Sequence, residues 1–274
     1  MKKAFVYTLT FLLIQLTMSY VVQGVWTLTT GKSASEIGTP LFIISTVAAS
    51  VAIILVFIYL KWSPVSRNYI RLRPWSVLCW CCVAALGTII PSTALQELMP
   101  ELPNVVEQQM DMLMKSRWGY LSLGLLAPLS EELVMRGAVL RSLLEQLKRP
   151  WIAICLSALL FALVHMNPAQ MPHAFLIGLL LGWLYWRTGS IVPGVAFHWM
   201  NNSIAYVIYN FYPDPSLRLT DIFGSQRAVA AAFAFSLLIL LPAIYQLNLR
   251  LRHIQDSNKF ENYTDNPLCE ENLA

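Results

Sequence analysis

The side chains that could do chemistry are concentrated in one stretch of an otherwise apolar chain. They are Glu131, Glu132, Arg136, His165, His198 and Asn202. Glu132 and Arg136 are four residues apart, so on a helix they share a face and can form an ion pair. Glu131 is rotated by about 100° from Glu132. We therefore expect one carboxylate to be neutralised by Arg136 and the other to stay available.

Two further apolar segments each carry a polar pair at the same helical spacing. His198 and Asn202 are four residues apart, and so are Phe161 and His165. Taken singly, each of these residues is explained by a hydrogen bond between helices. Their joint occurrence within residues 131–202 favours a functional site instead, because charges inside apolar spans are costly.

These residue types suit the attack of water on an amide. A carboxylate such as Glu131 can take a proton from water as a general base, with the His165 imidazole beside it. His198 and Asn202 are hydrogen-bond donors that could stabilise the oxyanion of a tetrahedral intermediate. His165, His198 and Glu131 could equally hold a catalytic zinc ion, because histidine and carboxylate are its usual ligands. The residues alone leave both mechanisms open.

The composition indicates a membrane protein. The 274 residues are 57% hydrophobic and 12% charged, and the mean hydropathy is +0.56. Soluble domains carry about 25% charged residues, so the composition excludes a soluble enzyme, a nucleic-acid binder and a disordered regulator. We predict an all-α polytopic bundle of about eight transmembrane helices. The expected spans are residues 4–22, 40–60, 76–96, 118–140, 151–167, 171–187, 190–210 and 228–248.

The distribution of lysine and arginine predicts the orientation. With the N-terminus and C-terminus in the cytosol, 13 of the 19 basic residues lie in cytosolic segments and five lie outside, as the positive-inside rule requires. Lys2 and Lys3 before an apolar run also resemble a secretory leader. We favour an uncleaved first helix, because no convincing cleavage site precedes Val22. We expect N-terminal transmembrane helices in 1–116, a catalytic core in 117–210, and a last helix with a polar tail in 211–274.

Three motifs resemble a known family. Residues 131–136 read EELVMR and match EExxxR, residues 161–165 read FALVH and match FxxxH, and residues 198–202 read HWMNN and match HxxxN. In this order, each on an apolar helix, they resemble the CAAX protease and bacteriocin-processing family (CPBP or Abi), which includes the type II CAAX prenyl endopeptidases. The resemblance covers about residues 117–210.

The resemblance implies an all-helical intramembrane protease. It makes Glu131 the general base, with His165 holding the attacking water. His198 and Asn202 would form the oxyanion site, and Glu132 and Arg136 would support the geometry. The family has been interpreted both as zinc-dependent and as glutamate-dependent, and we favour the glutamate mechanism without a cofactor.

The resemblance leaves the substrate and the activity open. We expect a peptide or membrane-protein substrate and a place in a bacterial inner membrane. The alternatives are a non-catalytic immunity or binding protein and a proton-coupled transporter that uses Glu131 and His165 as a relay. One further question is depth, because His165 lies about 9 Å beyond the middle of the segment 151–167 at 1.5 Å per residue. Either this helix begins at the cytosolic interface and ends inside the membrane, or the segment boundaries are wrong.

Overall fold

All regular secondary structure in the described part of the chain is helical, which confirms the predicted all-α class. The computed structural model describes residues 1–31, 38–64, 68–71, 73–214 and 217–264. The helices are α1 (Lys2–Thr30), α2 (Thr39–Tyr59), α3 (Asn68–Arg71), α4 (Trp75–Leu98), α5 (Glu107–Met114), α6 (Ala127–Val134), α7 (Arg141–Gln146), α8 (Pro150–Val164), α9 (Met171–Thr188), α10 (Val192–Phe211), α11 (Leu219–Phe223) and α12 (Gln226–Thr264). Two π-helical turns, Leu121–Leu126 and Met135–Leu140, flank α6.

Four helices in the described residues are long and apolar enough to cross a membrane. They are Lys2–Thr30, Thr39–Tyr59, Trp75–Leu98 and the part Gln226–Leu251 of α12. They overlap four of the eight expected spans. The other four expected spans fall on helices that are shorter, interrupted or more polar. An integral membrane protein is therefore indicated, while the count of eight spans and the orientation stay predictions.

Two apolar cores hold the bundle together, and α9 belongs to both. The first core joins α1, α2, the π turn after α6, α8 and α9, with Phe57 and Ile154 fully buried at its centre. The second joins α4, α9, α10 and α12 around Leu181 and Phe197. Buried Cys81 packs in the second core as a small apolar side chain. The polar residues of the site lie where these two halves meet.

The contact between α4 and α12 requires a glycine at position 87. A Cβ atom there would lie 2.8 Å from the Cα of Leu240, a backbone atom that cannot rotate away. The Ser236 hydroxyl also donates a hydrogen bond of 3.0 Å to the Gly87 carbonyl oxygen. We therefore expect Gly87→Ala to lower the free energy of unfolding by about 1–3 kcal/mol through overpacking.

Gly24 provides the matched control, because a Cβ atom at this helical position meets nothing within 4 Å. Gly24→Ala is expected to leave stability unchanged or to raise it slightly, since alanine favours helix over glycine. Thermal unfolding of both variants in the same detergent measures the difference. An unchanged midpoint for Gly87→Ala would mean that α4 and α12 do not pack as closely as described.

Candidate active site

The buried pair Glu132 and Arg136 forms the centre of the candidate site, as their spacing predicts. Arg136 Nη1 lies 2.8 Å from Glu132 Oε1, and the two side chains are 1% and 0% exposed. The Arg136 Nη2 atom donates a 3.2 Å hydrogen bond to the carbonyl oxygen of Gly178 on α9. Its guanidinium carbon lies 4.4 Å from the ring centroid of Phe161 on α8. One arginine thus connects the EExxxR segment to two other helices.

His198 lies between the two adjacent carboxylates. Its Nδ1 atom is 3.1 Å from Glu132 Oε1, and its Nε2 atom is 3.9 Å from Glu131 Oε2. Since a carboxylate oxygen only accepts, the contact with Glu132 places a proton on Nδ1. A Cβ atom at Gly194, one turn earlier on α10, would lie 2.7 Å from Glu132 Oε2. The missing side chain lets α10 approach closely enough for His198 to reach both acids.

His165 is oriented by its own helix. It caps the C-terminus of α8, and its Nδ1 atom donates to the Phe161 carbonyl oxygen at 2.7 Å. Because a carbonyl only accepts, the neutral imidazole keeps its lone pair on Nε2. The Phe161 ring packs edge-on against both His165 and His198, at centroid distances of 4.9 and 5.8 Å. The first residue of the FxxxH motif therefore orients both histidines.

Asn202 fixes α10 against the π turn that precedes α6. Its Nδ2 atom donates a 2.9 Å hydrogen bond to the carbonyl oxygen of Leu123. Its Oδ1 atom accepts a longer hydrogen bond of 3.4 Å from Asn201. At the next residue, the Ser203 hydroxyl lies 2.9 Å from the Tyr120 hydroxyl. These contacts hold His198, one turn before Asn202, at the carboxylates.

A cavity of about 410 Å³ contains the Glu131 and His165 side chains. The other residues that line it are Phe11, Gln15, Phe42, Val106, Gln109, Met110, Leu113, Val164 and Gln170. The structure therefore brings two of the four expected catalytic residues to one cavity. His198 approaches Glu131 from within the bundle, whereas Asn202 lies at the π turn and does not line the cavity.

Comparison with protein families identifies this region. Residues 114–204 match the family model described as "Rce1-like: Type II CAAX prenyl endopeptidase Rce1-like". We call residues 114–204 the CAAX protease-family segment, after the model that they match. The match confirms the resemblance based on the three motifs, and it covers about a third of the chain. No curated protein and no solved structure matches the chain significantly.

Much of the cavity wall lies outside the CAAX protease-family segment. Phe11 and Gln15 come from α1, Phe42 comes from α2, and α5 contributes three more residues. The sequence motifs did not point to any of these. For Gln15 a signal was present, because it is a carboxamide in the middle of an apolar run.

Helix α5 borders the cavity, and polar contacts hold it against the end of α10. Asp111 accepts hydrogen bonds from Lys115, at 2.8 Å, and from the Tyr209 hydroxyl at the end of α10. These two hydrogen bonds lower the pKa of the exposed Asp111 carboxyl group. The Asn210 Nδ2 atom donates to the Met114 carbonyl oxygen at 3.0 Å. Asp111 therefore stays ionised at neutral pH and helps to hold α5 against α10.

The arrangement does not fit the zinc alternative. Within the described ranges, no group of three or more histidine, cysteine, aspartate or glutamate side chains is placed to hold a metal ion. His165 keeps a free Nε2 lone pair, but both ring nitrogens of His198 face carboxylates. The residues that the structure describes therefore do not form a zinc site.

Proposed function

We propose that this protein is an intramembrane endopeptidase that hydrolyses a peptide bond with water activated by Glu131. The observation that carries the proposal is that Glu131 and His165, both within the CAAX protease-family segment, line one cavity. The family implies endopeptidase activity, and the partly exposed Glu131 carboxylate is the one that Arg136 does not neutralise.

The proposed reaction proceeds by general base catalysis. A water molecule held between Glu131 and the Nε2 lone pair of His165 gives a proton to the Glu131 carboxylate. The resulting hydroxide attacks the carbonyl carbon of the scissile bond, and a tetrahedral intermediate forms. Glu131 then transfers the proton to the amide nitrogen, so that the C–N bond breaks and an amine and a carboxylic acid leave.

Hydrogen-bond donors on α10 are proposed to stabilise the intermediate. His198 donates from Nδ1 to Glu132, and a proton on Nε2, which the oxyanion site requires, would let it donate to the oxyanion as well. Asn202 has a second amide hydrogen beyond the one that it donates to Leu123. A preorganised donor is most effective where water is excluded. Arg136 and Glu132 act as positioning residues for His198.

The short α8 helix supports the proposed membrane arrangement. Its 15 residues are about 22 Å long, and a hydrocarbon core is about 30 Å thick. The helix ends at Val164, and Met166 takes a left-handed conformation with φ of 50°. We propose that α8 begins at the cytosolic interface and ends inside the membrane, which brings His165 to the depth of Glu131. Eight membrane-embedded helices with both termini in the cytosol of a bacterial inner membrane remain our preferred topology.

Cleavage by the purified protein in liposomes tests the proposed function. Candidate substrates are apolar peptides and membrane-anchored peptides, and the comparison is between wild type, Glu131→Ala and His198→Ala. We expect product only from the wild type, with all three proteins equally well folded. Equal product from all three would remove the catalytic assignment. Reproducible peptide binding without cleavage by the wild type would favour the non-catalytic binding protein.

A further inference from the structure

Gln15 is a polar residue at the centre of a membrane-spanning helix. Helix α1 runs from Lys2 to Thr30 and is one of the four long apolar helices. Its buried face carries Ala4, Thr8 and Phe11, and Gln15 continues this face one turn after Phe11. Gln15 therefore points toward the bundle, where it lines the cavity that contains Glu131 and His165.

The carboxamide of Gln15 makes no hydrogen bond with any of the residues that the structure describes. Two polar side chains on the same helix, Thr8 and Gln23, are paired within α1. Thr8 donates to the Ala4 carbonyl oxygen at 3.0 Å, and Gln23 donates to the Ser19 hydroxyl at 3.3 Å. A carboxamide offers two donors and an acceptor, and the half-buried Gln15 presents them at the cavity. Gln15 can therefore form hydrogen bonds with a molecule that enters the cavity.

The remaining cavity wall indicates the chemistry of that partner. Phe11, Phe42 and Leu113 give apolar surface, whereas the carboxamides of Gln109 and Gln170 are further uncharged polar groups. Apart from Glu131 and His165, no lining residue is ionisable. An extended peptide with apolar side chains suits this wall, because its backbone presents unpaired N–H and C=O groups.

We propose that Gln15 is a substrate-binding residue whose carboxamide pairs with the peptide backbone next to the scissile bond. The inference rests on the proposed function and extends it, since it places a substrate contact on α1, outside residues 114–204. The Oε1 atom accepts from a substrate N–H, and the Nε2 atom donates to a substrate C=O. This contact holds the scissile carbonyl carbon near Glu131 and takes no part in proton transfer.

The inference is tested by comparing the cleavage kinetics of two variants, each with one glutamine of α1 replaced. The variant Gln15→Leu keeps the approximate volume and removes the hydrogen-bonding groups, and Gln23→Leu is the matched control away from the cavity. We expect Gln15→Leu to lower kcat/KM about tenfold, the effect of one or two lost hydrogen bonds, through a higher KM with little change in kcat. Gln23→Leu is expected to match the wild type. Thermal unfolding of both variants reports whether either one is misfolded.

Substrates with one backbone amide replaced by an ester show where Gln15 binds. An ester lacks the N–H donor. At the position that Gln15 contacts, the ester should therefore lower kcat/KM of the wild type. It should not lower kcat/KM of Gln15→Leu any further. If Gln15→Leu cleaved peptide at the wild-type rate and with an unchanged KM, the inference would be overturned and the proposed function would stand. The inference would also be overturned if, at every position, the loss caused by the ester simply added to the loss caused by Gln15→Leu. Absence of any cleavage by the wild type would overturn both proposals.

Discussion

Replacing Glu131 by glutamine is expected to slow peptide hydrolysis by about 10³-fold, the middle of the range for loss of a general base. The amide keeps the shape of the side chain but cannot accept a proton from water. Glu131 lies outside the buried ion pair, and its side chain is 19% exposed. Stability should therefore change little. Initial rates of cleavage in liposomes, together with thermal unfolding of the same preparation, measure both effects.

The control for this variant lies in the same run of helical turns. Glu145 on α7 is exposed and faces Arg141 at 3.8 Å, away from the cavity. Glu145→Gln removes the same charge by the same chemical change, and wild-type cleavage is expected. If Glu131→Gln retained more than about a tenth of the wild-type rate, general base catalysis by this carboxylate would be excluded, since a catalytic base contributes at least about 10²-fold.

Removal of Arg136 is expected to cause the largest loss of stability. Arg136→Met keeps much of the apolar length but removes the positive charge that neutralises buried Glu132, which is left with the hydrogen bond from His198 Nδ1. Breaking a buried ion pair in this way costs about 3–5 kcal/mol. The contacts with the Gly178 carbonyl and the Phe161 ring are lost as well. Thermal unfolding in detergent and the amount of folded protein in membranes are the measurements.

Two further substitutions show whether the loss reflects this buried pair. Arg141→Met removes a partly exposed arginine four residues from Glu145, and such surface pairs contribute about 0–1 kcal/mol. Arg136→Lys keeps the charge, but a lysine lacks the planar guanidinium group that donates to both Glu132 and Gly178. An intermediate loss of stability is therefore expected. Equal unfolding midpoints for Arg136→Met and Arg141→Met would contradict the buried pair.

The local part of the site could be predicted from the sequence, because helical spacing alone brings Glu132 to Arg136. The position of His198 could not be predicted in the same way. Its contacts with both carboxylates depend on how closely α10 packs on α6, which in turn depends on Gly194. The roles assigned to the catalytic residues by family resemblance stay predictions, since geometry alone does not measure catalysis.

The helices themselves were predictable from apolar runs, but their interruptions were not. The two π-helical turns around α6 leave no mark in the hydrophobic pattern, since most residues in both turns are apolar. The expected span 151–167 ends earlier, at Val164, because the chain turns before Pro168. The place of Gln15 at the cavity could not be predicted either, because it depends on the packing of α1 beside Glu131.

We propose that Glu131, and not a bound metal ion, activates the attacking water. The most direct test of this proposal is to measure the zinc content and the rate of peptide cleavage in the same reconstituted samples of wild type and Glu131→Gln. We predict that the wild type cleaves peptide with far less than one zinc ion per chain, that chelators leave its rate unchanged, and that Glu131→Gln is inactive. Stoichiometric zinc that is lost together with activity would contradict the account.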